Sequence, residues 1–359
     1  MWLTETLSAW LAGSGAEAPL HTGGSDGPED VRDAAGLRDW LDRGGLVGRT
    51  RLELARRRYA GARFAHLLGA RPDAIALRAL SLAEDRLGPL GVAALANSES
   101  LAGLVELDLT GNQLGDDGAV RLAGARSPAR LETLVLSGNA IGDAGAAALA
   151  SSPLLANLRE LRLSGNHIGP AGARALACSP HLAQLEALDL SGNPLGDAGA
   201  QQLADAANLP RLRALSLART RLGSRALWAL AAAAHLPPLE ALSLKRNRID
   251  AAGVRALGAA PLVRRLTRLS LCNNPLGDDG ARALAEAPAL ASLEQLNLTR
   301  TSIGDEGAVA LATSSALFGL RELELRGNRI GPAGVEALRA WKRSAAPAIP
   351  SRRTLAGDQ

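Results

Sequence analysis

The chain has 359 residues, with 40 Lys and Arg against 36 Asp and Glu; the resulting net charge of +4 is too small an excess to point to nucleic acid. No apolar run is long enough to span a membrane, and the start, MWLTETLSAW, lacks the basic region of a secretory leader. A cytoplasmic protein that does not associate with membranes is therefore expected, and its two cysteines cannot supply a disulfide framework.

Residues 1–30 predict a short amphipathic helix, with Leu3, Leu7, Trp10 and Leu11 on one face, followed by a Gly/Ser/Asp-rich linker from Gly13 to Asp30. Residues 31–71 predict two helices separated by Gly44-Gly45. One carries Leu37, Trp40 and Leu41, the other Tyr59, Phe64, Leu67 and Leu68.

From residue 72 to residue 343 the chain is periodic. One column reads Asp85, Asn112, Asn139, Asn166, Asn193, Thr220, Asn247, Asn274, Thr301 and Asn328, each 27 residues after the last. Leucines stand eight, five and three positions before it in most repeats, and Leu or Ile stands two after. Alternating leucines give a short strand with one face in a core, and the residues between them are expected to face solvent. An inward Asn can bond the backbone of a turn that has no other partner, whereas Thr220 and Thr301 can replace only part of that bonding.

The second half of each repeat is Ala-rich. A Gly at the twelfth position, as in Gly88, Gly115 and Gly142, is expected to supply an unusual backbone turn. Asp116, Asp143, Asp197, Asp278 and Asp305 then read as helix N-caps, with Leu122, Leu149, Leu176, Leu203 and Leu230 on the buried face of a short helix. Each repeat is thus one strand and one helix. Ten stacked repeats predict an α/β solenoid with a parallel sheet on the concave face of an arc and helices on its convex face. A solenoid exposes apolar core at its ends, so residues 31–71 read as a helical N-terminal cap, and Trp341 is placed over the last layer. Residues 344–359 are expected to be a disordered tail.

The unit L-x-x-L-x-L-x-x-N-x-L/I-G-D-x-G-A-x-x-L, nearly whole in LRELRLSGNHIGPAGARAL from Leu158 to Leu176, resembles the leucine-rich repeat, and within it the ribonuclease-inhibitor-like class. That class includes the Ran GTPase-activating proteins and NOD-like receptor arrays. The stretch GDAGAAALA, Gly142 to Ala150, is also similar to the GALA effectors of plant-pathogenic bacteria. The resemblance implies a binding scaffold, with a GTPase activator or a bacterial effector or adaptor with an F-box-like N-terminal module as alternatives. No activating residue maps onto this chain, and residues 31–71 lack the Leu-Pro start of an F-box. A bacterial origin is expected, because only Lys245 and Lys342 among the basic residues are lysines, as GC-rich coding would give.

No catalytic or cofactor constellation is present in the sequence, so an enzyme is not expected. Cys178 and His181 have a spacing a metal site can use, but no second pair completes four ligands. Cys178 and Cys272 are separated by about four rungs of about 4.8 Å, too far to pair, and both should be free thiols.

Charge is distributed unevenly along the repeats. Glu84, Glu106, Asp108, Glu160 and Asp189, against Arg86 and Arg162, make the outward strand positions of the first five repeats mildly acidic. In the last five, Arg219, Arg221, Lys245, Arg246, Arg248, Arg268, Arg300, Arg326 and Arg329 outweigh Glu322 and Glu324. The residue before the Asn column is Gly111, Gly138, Gly165 and Gly192, and then Arg219, Arg246, Asn273 and Arg300. The nine basic residues are the candidate binding set. Guanidinium groups suit carboxylates, so the expected partner is a protein with an acidic surface, bound on the concave face of a monomeric scaffold through its basic C-terminal half. Nucleic acid is not expected, because no aromatic side chains interleave the arginines for base stacking.

Overall fold

The computed structural model describes residues 34–54, 61–125, 130–205 and 208–344. They fall into two compact units, one reaching to Asn193 and taking in residues 208–212, the other made of Pro194–Asp205 and the chain from Arg213 onward. The helix and linker expected over residues 1–30, Tyr59, and the tail from residue 345 lie outside the described residues.

In the N-terminal unit the strands are β1 (Arg51–Glu53), β2 (Ala79–Ser81), β3 (Glu106–Asp108), β4 (Thr133–Val135), β5 (Glu160–Arg162) and β6 (Ala187–Asp189). Each pairs in parallel with the next, so Leu52, Leu80, Leu107, Leu134, Leu161 and Leu188 stand side by side. In the C-terminal unit β7 (Ala214–Ser216), β8 (Ala241–Ser243), β9 (Arg268–Ser270), β10 (Gln295–Asn297) and β11 (Glu322–Glu324) do the same through Leu215, Leu242, Leu269, Leu296 and Leu323. All these leucines are 3% exposed or less, and they form the core expected from the alternation.

Strand β1 adds a rung where two helices alone were expected. It lies between the helices Ala34–Asp42 and Gly61–Gly69, with Arg51 paired to Ala79, a step of 28 residues. Counted back by that step of 28, Arg49 and Arg57 occupy the positions of the Leu77 and Asp85 columns, so only Leu52 and Leu54 mark it. Its backbone is nonetheless recruited by β2, because an unpaired sheet edge offers hydrogen-bonding groups to any extended segment beside it.

Behind the strands, helices such as Gly115–Ala123, Asp143–Ala150, Pro170–Ala177, Ala251–Gly258 and Gly277–Ala285 bury one leucine per repeat and pack against their neighbours. Several repeats add a short 3-10 turn before the next strand, as at Pro153–Leu155 and Pro261–Val263. None of the described helices is long and apolar enough to cross a membrane.

The aspartates cap helices, but not their own. Asp143 Oδ1 accepts the N–H groups of Gly169 (2.7 Å) and Gly172 (2.8 Å), which open the helix of the following repeat. Asp116 serves Gly142 and Gly145, and Asp305 serves Gly331 and Gly334, in the same way. An Asp already inside the first turn cannot fold back onto its own amides, so it reaches the free N–H groups one repeat on. Where the twelfth residue is Asp250 the pattern reverts. Its side chain caps its own helix through Ala252 and Gly253, and Ser224 donates to it at 2.6 Å.

The Asn column is a buried ladder. Asn139 Oδ1 accepts from Asn112 N (2.8 Å), while its Nδ2 donates to Leu109 O (2.9 Å) and Ser137 O (3.2 Å). Thr301 manages only part of this. Its hydroxyl donates to Leu298 O at 2.7 Å, and the N–H of Leu276, with no Asn oxygen to serve it, turns to Asn274 O at 3.0 Å.

The strand face away from the leucines does not lie open to solvent as expected. Ser216, Ser243 and Ser270 are 4%, 2% and 0% exposed, and Thr133 and Glu160 are each 1% exposed. Alternation decides which face a side chain takes. It does not decide what covers that face.

A candidate partner-binding surface

The chain leaves strand geometry just before the Asn column. Simple alternation after an inward leucine such as Leu217 would bury residue 219 and expose residue 220. A left-handed residue breaks the alternation, and the two exchange roles: Thr220 is 0% exposed, and Arg219, at φ +56°, stands outside. The same turn recurs at Glu84, Gly111, Gly138, Gly165, Gly192, Arg246, Asn273, Arg300 and Gly327, all with positive φ. The glycines of this column are therefore a backbone requirement. Each arginine in their place holds a conformation that costs an L-residue about 1 kcal/mol.

The twelfth-position glycine behaves differently from expectation. Gly88, Gly115, Gly196 and Gly277 take positive φ, whereas Gly142, Gly169, Gly223 and Gly304 are extended. An extended backbone does not itself require glycine. At Gly145 and Gly172, three residues further on, a Cβ would meet the capping Asp oxygen at 2.6 Å, so close packing holds glycine there.

The nine candidate residues divide by exposure. Arg219, Arg221, Arg246, Arg248, Arg300, Arg326 and Arg329 are exposed, but Lys245 and Arg268 are only 8% and 9% exposed. The expectation that all nine face solvent is corrected by these two, whose places on the strand face are covered. Arg268 sits within β9, its Nε finds no hydrogen-bond partner, and burial pushes its pKa down while Glu240 and Glu294 oppose that shift.

The exposed seven form two groups. Arg219 N donates to Lys245 O, and Arg248 N to Leu222 O, each at 2.8 Å, which sets Arg219, Arg221, Arg246 and Arg248 on adjacent rungs. Arg300 N donates to Arg326 O and Arg329 N to Ile303 O, again each at 2.8 Å, joining Arg300, Arg326 and Arg329. The repeat between carries Asn273 and Pro275 at the corresponding positions. Among the described residues none of these seven arginines has an ion-pair partner. On the helices, Arg121 pairs with Asp117 at 3.1 Å and Arg282 with Asp279 at 2.9 Å, whereas Arg174, Arg225 and Arg255 have no ion-pair partner among the described residues.

In the N-terminal unit the acidic residues are mostly engaged internally. Glu106 pairs with Arg51 at 2.9 Å, and Asp108 accepts from Ser81 and Thr110. Asp189 accepts from Ser191. Glu160 is buried against Arg162; desolvation raises its pKa, and Arg162 pulls the other way. Glu84 alone of the five is exposed. The charge asymmetry seen in the sequence thus becomes one of availability.

A family model described as leucine-rich repeat matches residues 104–123, 130–150, 155–177, 181–204, 235–258, 265–285, 289–312 and 320–338. The chain is a leucine-rich repeat protein. Among solved structures, a chain of the mouse RP105/MD-1 complex is similar in fold, with 19% identity and a TM-score of 0.53. The match covers 86% of this chain and 46% of that one, so this leucine-rich repeat protein spans about half the length of its structural relative. No curated protein matches it. Both cysteines are free thiols, Cys178 exposed and Cys272 partly so. Among the described residues no group of three His, Cys, Asp or Glu side chains gathers as metal ligands would.

Proposed function

We propose that this leucine-rich repeat protein is an interaction scaffold whose C-terminal unit captures an acidic protein surface through loop-edge arginines. One observation carries the reading. Seven exposed arginines without carboxylate partners among the described residues lie along the strand-to-helix loops of one unit, whereas the same column of the other unit carries Glu84, Gly111, Gly138, Gly165 and Gly192. Arginines kept only for solubility would serve equally well on the loops of either unit. Rungs locked by backbone hydrogen bonds hold the backbone sites of these side chains in fixed relative positions, so docking need not order the main chain. The similar mouse structure is itself of a complex with a second protein, which accords with such a role. The full helix in every repeat supports the ribonuclease-inhibitor-like class, and the two free thiols fit a reducing cytoplasm.

The test is capture of partners from the source cell with Arg219, Arg246 and Arg300 changed to Glu, beside a control with Arg121, Arg174 and Arg282 changed to Glu. The first should lose the main partner and the second retain it. Capture unaltered in the first would return the arginines to a solubility role.

A further inference from the structure

We infer that Arg219, Arg221, Arg246 and Arg248 form one clamp for an extended acidic segment of the partner, gripping carboxylates from alternate residues; this rests on the scaffold reading above. The four stand on two adjacent rungs about 4.8 Å apart. Within a rung, two residue steps span at most about 7 Å. Side chains on one face of an extended peptide recur at about that interval, so two carboxylates spaced i and i+2 fit the cluster.

Two independent costs bear on this cluster, the first on three of its four residues. Arg219, Arg221 and Arg246 hold left-handed backbone, at φ +56°, +63° and +53°, where glycine or asparagine would be less strained. Neighbouring backbone sites of the four also lie about 5 to 7 Å apart, inside a Debye length of about 8 Å, so their like charges repel one another. The fold requires the left-handed turn but not arginine in it, because the next repeat carries Asn273, at φ +56°, and Pro275 at the two positions and still makes its rung. Left-handed strain also occurs at Gln113, Ala140, Arg300 and Ser302, so what marks this cluster is strained arginines crowded on adjacent rungs, a concentration of like charge that folding does not need and a multiply charged ligand would explain. An anion with several charges relieves the repulsion, and the planar guanidinium pairs bidentately with carboxylate. The exposed aromatic of this repeat, Trp228, stands on the helix Ser224–Ala231 and not in the arginine loop, so the cluster lacks a stacking surface for bases.

The test uses the full chain and a fluorescein-labelled peptide of alternating Glu and Gly, followed by fluorescence anisotropy. The peptide should bind the natural protein, and R219Q/R221Q/R246Q/R248Q should weaken it at least about tenfold, as a loss of about 1.4 kcal/mol or more would give. R300Q/R326Q/R329Q should change it less than about twofold. Thermal unfolding checks that the quadruple variant is folded, which is expected because Asn273 already occupies the left-handed position. Absence of peptide binding, equal weakening in both variants, or equally tight binding of a single-stranded oligonucleotide or a phosphoserine peptide of matched charge would each overturn the clamp. If partner capture is lost in the triple Glu variant while the peptide fails to bind, the scaffold reading stands and the clamp falls. If the peptide binds as expected but partner capture is unchanged, the scaffold reading falls instead.

Discussion

Asp278 accepts the backbone N–H of Gly304 at 2.6 Å, across a full repeat, and that of Gly307 at 3.0 Å. Stability at the start of the helix Asp305–Ala312 therefore depends on a carboxylate belonging to the preceding helix. Asp278→Ala should cost about 1 kcal/mol, as loss of an N-cap does. Hydrogen exchange should locate the loss at the Gly304 and Gly307 amides and not at the helix Gly277–Ala285. Faster exchange confined to that helix would contradict the inter-repeat cap.

Leu215 is 2% exposed in the shared core, and Leu215→Ala should cost about 2 to 5 kcal/mol through the cavity it leaves. Arg225→Ala, at an exposed helix position of the same repeat, should stay within about 0.5 kcal/mol. Denaturant midpoints measure both. The buried Ser216 cannot serve as the neutral control that its outward strand position suggests.

The left-handed column makes a paired prediction. A Cβ at Gly165 would have its nearest neighbour at 3.8 Å, so Gly165→Ala has room and should lose about 1 kcal/mol through its φ of +64° alone. Arg246→Gly relieves the same strain and should leave the melting temperature unchanged or raised while weakening partner capture. A clear fall in melting temperature for Arg246→Gly would show that the arginine is needed for folding.

Glu160 supplies the pH dependence. Burial holds its folded pKa above the ordinary value of 4.5, so the folded state binds its proton more tightly than the unfolded state. Its contribution is fully present below that ordinary value and is lost as pH rises through the raised one. Glu160→Gln should flatten this part of the stability profile, read as thermal midpoints from mildly acidic to neutral pH. Identical slopes for the two proteins would show that Glu160 ionises as freely in the fold as in the unfolded chain.

Much of the fold was legible in the sequence because its repeat is written in residues that act within one rung. Leu212, Leu215 and Leu217 specify a strand and its buried side, Asn247 specifies a buried turn, and Leu230 specifies the inward face of a helix, all by local spacing. The break in the glycine column at Arg219, Arg246 and Arg300 was visible too, and it led to the candidate surface. Why the column is glycine was not visible, since a left-handed dihedral leaves no mark on composition.

The repeat architecture follows from the sequence itself, because 27-residue units with one apolar face can satisfy themselves only by stacking. Tertiary structure alone decided the rest: that Asp143 caps a helix 26 residues away, that Arg51–Glu53 joins the sheet, and that Lys245 and Arg268 are covered while Arg219 and Arg246 are not. Each of these depends on groups contributed by another part of the chain, and propensities that act within a single repeat carry no information about them.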